Sequence, residues 1–302
     1  MAPSLLLLGG NGFIGEALAR KYVAQGYTVH SISRRKSRVA LPGIHTYAAS
    51  LDDMALLDQL IPQCDLIIHT ASTCTPGSSA NHPSREGEEN LLPLLRLIEA
   101  LTKRPPRPFL FLSSGGTVYG NPHSLQVKED APLVPISYHG AAKSSAELFL
   151  HAFAQTGYPI AVLRPSNVYG PGQDGPSGFG LIRTVLQHIN SDAPMEVWGD
   201  GSTLRDYLYI EDLVEAILRV QRQGCTGVFN VGTGVGHSVL EVIACAEAVT
   251  ERKLSVIQKP ARILDVRGIV LDFHKLNKAT GWKPSTGLES GIRHTWECLS
   301  RR

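Results

Sequence analysis

Short apolar runs alternate along the chain with stretches in which apolar residues recur every three or four positions. Ser4–Leu8, Thr28–Ser33, Asp65–His69, Phe109–Ser113 and Ile160–Arg164 have the length and content of strands, and a weaker one lies near Ile44–Tyr47. Phe13–Gln25, Glu88–Leu101 and Ser137–Gln155 carry the helical spacing, and the three prolines within Lys103–Pro108 stop the second of them. Strands alternating with helices of this length predict right-handed βαβ units and a parallel sheet. The character changes after Pro165. Ser166–Gly180 is rich in glycine and proline and reads as loop, Val228–Val231 as one more strand, and Val239–Thr250 and Gly287–Cys298 as helices. The pattern predicts a doubly wound α/β domain over residues 1–165, to which 206–232 return, and a smaller domain over 166–302.

Composition narrows the class. With 302 residues, 43% hydrophobic and 19% charged, the chain can bury one large α/β unit plus a smaller lobe. A net charge of +2 is too small to suggest a nucleic-acid or membrane surface. Cys64, Cys74, Cys225, Cys245 and Cys298 form no CxxC pair and are odd in number, so a reducing compartment is expected rather than a disulfide framework. The eleven histidines show no metal-binding spacing, and no metal is expected. Leu5–Leu8 lacks a basic flank and is too short for a signal peptide or a membrane span, which makes the cytoplasm the expected location.

Between the first strand and the first helix the sequence reads Gly9-Gly10-Asn11-Gly12-Phe13-Ile14-Gly15. Glycines at 9, 12 and 15 suit a tight turn, close approach of backbone to a pyrophosphate, and a helix whose N-terminus receives the negative charge. An acidic residue closing the second strand would hold a ribose 2′-hydroxyl, but the sequence there is Ser33-Arg34-Arg35. Arginine suits a 2′-phosphate, so NADP is the expected cofactor, with NAD as the alternative.

The order of further segments resembles the nucleotide-sugar epimerases and dehydratases of the extended short-chain dehydrogenase/reductase family. Besides Gly9–Gly15, the resemblance rests on four stretches. They are Ser113-Ser114-Gly115-Gly116-Thr117-Val118-Tyr119-Gly120, then Arg164-Pro165-Ser166-Asn167-Val168-Tyr169-Gly170-Pro171-Gly172, then Trp198-Gly199-Asp200-Gly201 with Arg205-Asp206-Tyr207 and Asp212-Leu213, and the closing Gly281-Trp282-Lys283-Pro284. The resemblance implies a Rossmann-type dinucleotide domain with a C-terminal nucleotide-sugar domain. It implies cofactor contacts at Phe13, Ile14, Ala71, Asn90 and Lys143, and substrate contacts at Asn167, Arg205, Arg262 and Asp265, the two arginines on a diphosphate. It also implies a homodimer, because helices like Glu88–Leu101 and Ser137–Gln155 form four-helix interfaces in relatives.

The chemistry of that family uses a tyrosine that takes the sugar hydroxyl proton, a lysine four residues later, and a serine or threonine after the fifth strand. Lys143 is present in Ser137-Tyr138-His139-Gly140-Ala141-Ala142-Lys143, but four residues before it stands His139, and Tyr138 is one position early. The serine position falls on Gly115, flanked by Ser114 and Thr117. Residues four apart on a helix share a face, so His139, with an ordinary pKa near 6.5, is the expected base. The expected function is an NAD(P)-dependent 4-epimerase of a UDP-hexose. A keto-sugar reductase or dehydratase, and a non-catalytic dinucleotide or nucleotide-sugar sensor, are the alternatives.

Overall fold

Leucines fill β1 without a polar interruption because both faces of that strand are covered. In the computed structural model, which describes residues 2–34, 41–173, 180–260 and 268–300, Leu5 and Leu7 join one buried cluster and Leu6 and Leu8 another. Such two-sided burial is what a parallel sheet sandwiched by helices imposes.

The strands, in chain order, are β1 Ser4–Leu8, β2 Thr28–Ser33, β3 Ile44–Ala48, β4 Leu66–His69, β5 Phe109–Leu112, β6 Gln126–Val127, β7 Ile160–Pro165, β8 Asn167–Tyr169, β9 Met195–Trp198, β10 Leu204–Tyr209, β11 Gly227–Val231, β12 Gly236–Ser238, β13 Val256–Lys259 and β14 Gly268–Leu271. Seven of them form a parallel sheet in the order β11-β7-β5-β4-β1-β2-β3. The helices Phe13–Ala24 and Ile210–Arg222 cover one face, and Met54–Leu60, Leu92–Thr102 and Tyr138–Ala154 cover the other. This is the doubly wound architecture expected from the alternation. The order reverses between β1 and β4, which pair as Leu8↔His69 at their carboxyl ends, and a ligand crevice opens at such a switch point.

Outside that sheet the pairing is non-local. β12, β10, β14 and β6 form a second sheet, with β8 paired to β10, and β13 pairs β9. β8 lies inside the Gly/Pro-rich stretch expected to be all loop; it is held as a strand by Asn167↔Tyr207 and its neighbours. Within the segment 206–232, residues 206–209 of β10 belong to the second sheet, while β11 pairs with β7 in the main one. The helix expected at Glu88–Leu101 begins as a π-turn over Gly87–Leu91 before becoming α-helical at Leu92–Thr102. A π-turn often marks a functional position.

Candidate active site

The glycine turn is built by contact. Gly9 has φ +92°, a conformation that L side chains rarely adopt. A Cβ on Gly9 would meet the backbone of Ala71 at 2.7 Å, and one on Gly15 would lie 2.2 Å from the Gly9 carbonyl oxygen. The ends of β1 and β4 and the helix at Phe13–Ala24 therefore close on one another, leaving a cradle that only backbone can line. Gly12 takes the N-cap with extended backbone, so Phe13 and Ile14 stand in the first helical turn, where unpaired N–H groups face outward. The Ser33 hydroxyl accepts a 3.0 Å hydrogen bond from the Asn11 N–H and so ties the turn to β2. These features fit the pyrophosphate of a dinucleotide. Arg34 extends into solvent and meets Glu89 at 3.4 Å. Arg35, like Arg262 and Asp265, lies outside the described residues.

The helix Tyr138–Ala154 starts at Ser137, whose hydroxyl accepts from the Gly140 N–H at 3.1 Å. That start puts Tyr138 at the surface, 50% exposed, and turns His139, Lys143 and Glu147 inward along one stripe. Lys143 is buried, donates to the Leu112 carbonyl at 2.9 Å, and lies 4.8 Å from the Phe111 ring centre. Burial pushes its ammonium down to about 8, with the Glu86 and Glu147 carboxylates pulling the other way. Burial, and then the Lys143 charge, also lower His139, against the opposing pull of Glu86. The consequence is an imidazole that is neutral at neutral pH and able to accept a proton.

Two carboxylates absent from the sequence reading complete the stripe. Glu86, 3% exposed, sits 3.2 Å from His139 Nδ1 and accepts from Asn90 Nδ2 at 2.8 Å. Glu147 accepts from Ser113 Oγ and is gripped by Arg164 through Nε at 3.0 Å and Nη2 at 2.6 Å. Arg164 in turn donates to Tyr119 Oη at 2.7 Å, which donates to Asn230 Oδ1 at 2.7 Å. His69, at the end of β4, is buried with neither ring nitrogen hydrogen-bonded among the described residues. Burial, reinforced by Lys143, depresses it to about 3. The polar spacing at 139, 143 and 147, and Glu86 four residues before Asn90, were the signals that could have exposed this cluster.

Ser114 and Thr117 flank the position after β5, with Thr117 Oγ1 3.4 Å from the Ser114 carbonyl. Gly115 cannot take a side chain there without movement, because a Cβ would lie 2.4 Å from Leu271 Cδ1 and 3.0 Å from the Arg164 carbonyl oxygen. A Cβ on Gly116 would stand 3.8 Å from Asn167 Oδ1, so this turn faces the second sheet. Asn167 donates to the Asp206 carbonyl at 2.9 Å, and Arg205, on the same strand as Asp206, contacts the Leu204 carbonyl. The structure thus brings His139, Lys143 and Asn90 together around Glu86, and places Asn167 on β8 beside β10, which carries Arg205.

Among the described residues no three His, Cys, Asp or Glu side chains are grouped to hold a metal ion, and no helix is long and apolar enough to cross a membrane. The sequence profile of the NAD dependent epimerase/dehydratase family matches residues 5–232. The chain belongs to that family. Epimerase/dehydratase relatives align over nearly the whole length. A UDP-glucose 4-epimerase of Mycolicibacterium smegmatis is 30% identical, with 97% of each chain covered. A dTDP-4-dehydro-6-deoxyglucose reductase of Escherichia coli is also 30% identical, with 95% of each covered. Among solved structures, the UDP-glucose 4-epimerase of Thermotoga maritima with UDP-glucose superposes with a TM-score of 0.94 at 31% identity, covering 99% of each chain. That of Thermus thermophilus in complex with NAD gives 0.91 at 29%, covering 98% of this chain and 99% of the other. The epimerase/dehydratase fold and an NAD-dependent enzyme class are therefore established for this chain.

Proposed function

We propose that the protein is a nucleotide-sugar 4-epimerase acting on a UDP-hexose, with His139 in place of the tyrosine as the proton-transferring group. The observation that carries this reading is the buried, neutral His139 beside Lys143 on one helix face. The UDP-glucose 4-epimerases among its relatives support the substrate class.

Gly9, Gly12, Gly15 and the N–H groups of Phe13 and Ile14 would hold the dinucleotide pyrophosphate, with Ala71, Asn90 and Lys143 on the nicotinamide half. Bound there, the dinucleotide supplies a hydride acceptor and, after the sugar turns, the donor. His139 takes the proton of the C4 hydroxyl as that carbon becomes a ketone, and returns it when the carbon is reduced on its other face. Lys143 would hold the cofactor ribose, and burial, aided by the Lys143 charge, keeps His139 neutral between turnovers. Ser114 and Thr117 orient the hydroxyl in place of the missing serine, and Tyr138 takes no part. Asn167, Arg205, Arg262 and Asp265 hold the nucleotide sugar, the two arginines on the diphosphate. Residues 1–165 with 210–232 form the cofactor unit, and the remainder of 166–302, with 206–209 of β10, forms the substrate unit. Leu148 and Phe149, 65% and 47% exposed on the helix Tyr138–Ala154, give two copies an apolar face on which to pair.

Arg34, with no acid closing β2, supports a preference for NADP over NAD. Calorimetry at fixed moderate salt should show tighter NADP binding that Arg34→Ala abolishes; equal affinities overturn the preference. The function itself is tested by incubating the purified protein with UDP-, dTDP- and GDP-hexoses and analysing the products. Interconversion of C4 epimers without net cofactor consumption is expected. The reductase relative favours a second reading, which stoichiometric oxidation of NADPH would select. Binding of a sugar nucleotide with no conversion of any would leave only a sensor.

A further inference from the structure

The hydrogen-bond chain that ends on His139 begins at a group whose direction is unambiguous. The Thr73 backbone N–H can only donate, and it donates to Asn90 Oδ1 at 2.9 Å, with Thr73 Oγ1 adding a second contact at 3.2 Å. The Asn90 amide is thereby oriented, and its Nδ2 must donate, which it does to Glu86 Oε2 at 2.8 Å. With Oε2 taken as an acceptor, Glu86 Oε1 accepts in the same way, and its 3.2 Å contact with His139 Nδ1 calls for a proton on that nitrogen. Nε2 makes no hydrogen bond among the described residues and is not one of their buried unpartnered atoms, so it keeps access to solvent.

We propose that Glu86 is a positioning residue that locks His139 as the Nδ1–H tautomer, so that Nε2 carries the lone pair that receives the substrate proton. The inference rests on His139 being the base. It adds what a histidine in a tyrosine's place requires. Phenol has one oxygen and no tautomer, whereas imidazole has two nitrogens of which only one can be the acceptor, and the second must be told to keep its proton. Glu86 does this and also stabilises the imidazolium that forms when Nε2 is protonated. The π-turn at Gly87–Leu91 follows directly on Glu86 and contains Asn90, so the local widening of the helix lies where this relay is anchored. Thr73, Asn90, Glu86 and His139 come from the loop after β4, the turn before Leu92–Thr102 and the helix Tyr138–Ala154, so the relay also fixes those three segments against one another.

The direct test is the tautomer. Protein labelled with ¹⁵N-histidine, with the His139 signals assigned by their absence in His139→Gln, should show a protonated Nδ1 and a bare Nε2 at neutral pH. In Glu86→Gln, Asn90 still donates to the amide oxygen, which turns the new NH₂ toward Nδ1 and forces the proton to Nε2. That variant should lose about 10²–10⁴-fold in kcat with little change in KM, and Glu86→Asp should recover part of the loss. A wild-type spectrum with the proton on Nε2 overturns the proposal, and needs no variant to fold. Unchanged kcat and tautomer in Glu86→Gln, with His139→Gln inactive, overturns the role of Glu86 and leaves His139 as base. Full turnover in His139→Gln overturns both.

Discussion

Glu86 and Glu147 flank the same lysine, both are buried, and both are bonded to a nitrogen-bearing side chain, yet the partners differ in kind. Glu147 faces Arg164, which cannot lose its proton and grips both carboxylate oxygens, Oε2 at 2.6 and 3.0 Å and Oε1 at 3.1 Å. Its charge is matched permanently, and the pair extends through Tyr119 and Asn230 into the core. Glu86 faces His139, an imidazole that can take up or release a proton, and a neutral Asn90. A permanent pair holds a structure; a pair with one titratable member leaves a charge to be completed during a reaction. The fold places the first kind against the sheet, at β5 and β7, and the second at the open end of the helix.

Breaking the permanent pair should give the largest effect. Arg164→Leu leaves Glu147 buried and uncompensated, and should cost about 3–5 kcal/mol of stability in urea unfolding; adding Glu147→Leu should recover much of it. Breaking the other pair should instead cost rate. His139→Phe should lower kcat by about 10²–10⁴-fold while the unfolding midpoint and dinucleotide affinity stay near wild type. A stability loss there as large as in Arg164→Leu would erase the contrast.

His69 extends the comparison to a buried group whose ring nitrogens have no hydrogen-bond partner among the described residues. Its folded pKa, near 3, lies below the unfolded value near 6.5. Between those values the unfolded chain binds a proton that the native state refuses, so stability rises with pH across this window and falls on acidification, by about 1.4 kcal/mol per pH unit at most. Unfolding measured from pH 6.5 to 4 should show a shallower loss in His69→Phe than in wild type, whatever its absolute stability. Arg205→Ala should weaken UDP about tenfold or more, for the loss of a charged hydrogen bond worth about 1.5–3 kcal/mol; an unchanged affinity would remove Arg205 from the substrate site. The smallest effect belongs to Tyr138→Phe, since the side chain is half exposed on the outer face of the helix. Its kcat should stay within about twofold of wild type. A collapse of turnover there, with His139→Phe mild, would transfer the chemistry to Tyr138.

The large sheet was legible because its central strands β1, β4, β5 and β7 are local runs buried on both faces, and its helices repeat at 3.6 residues. The second sheet was not. β6, with two residues, and β8, with three, carry no period, and they are strands only because β14 and β10 lie alongside. The site divides in the same way. The cradle at Gly9–Gly15 and the pairing of His139 with Lys143 follow from spacing along one segment. Glu86 was hidden because its meaning comes from a residue 53 positions away, and Glu147 because an isolated glutamate on a helix reads as solvated until Arg164 is seen against it.

The tight fit at Gly115 has a consequence for how this sequence can change. A serine hydroxyl restored there would need a Cβ where Leu271 Cδ1 and the Arg164 carbonyl already lie, at 2.4 and 3.0 Å. Leu271 belongs to β14, in the other sheet, and its own N–H is fastened to Asp206 at 3.2 Å. Gly115→Ser therefore requires the Leu271 side chain to move, and should cost less in combination with a smaller residue at 271 than alone. The room for a side chain just after β5 is thus set by a methyl group more than 150 residues along the chain, in the other sheet.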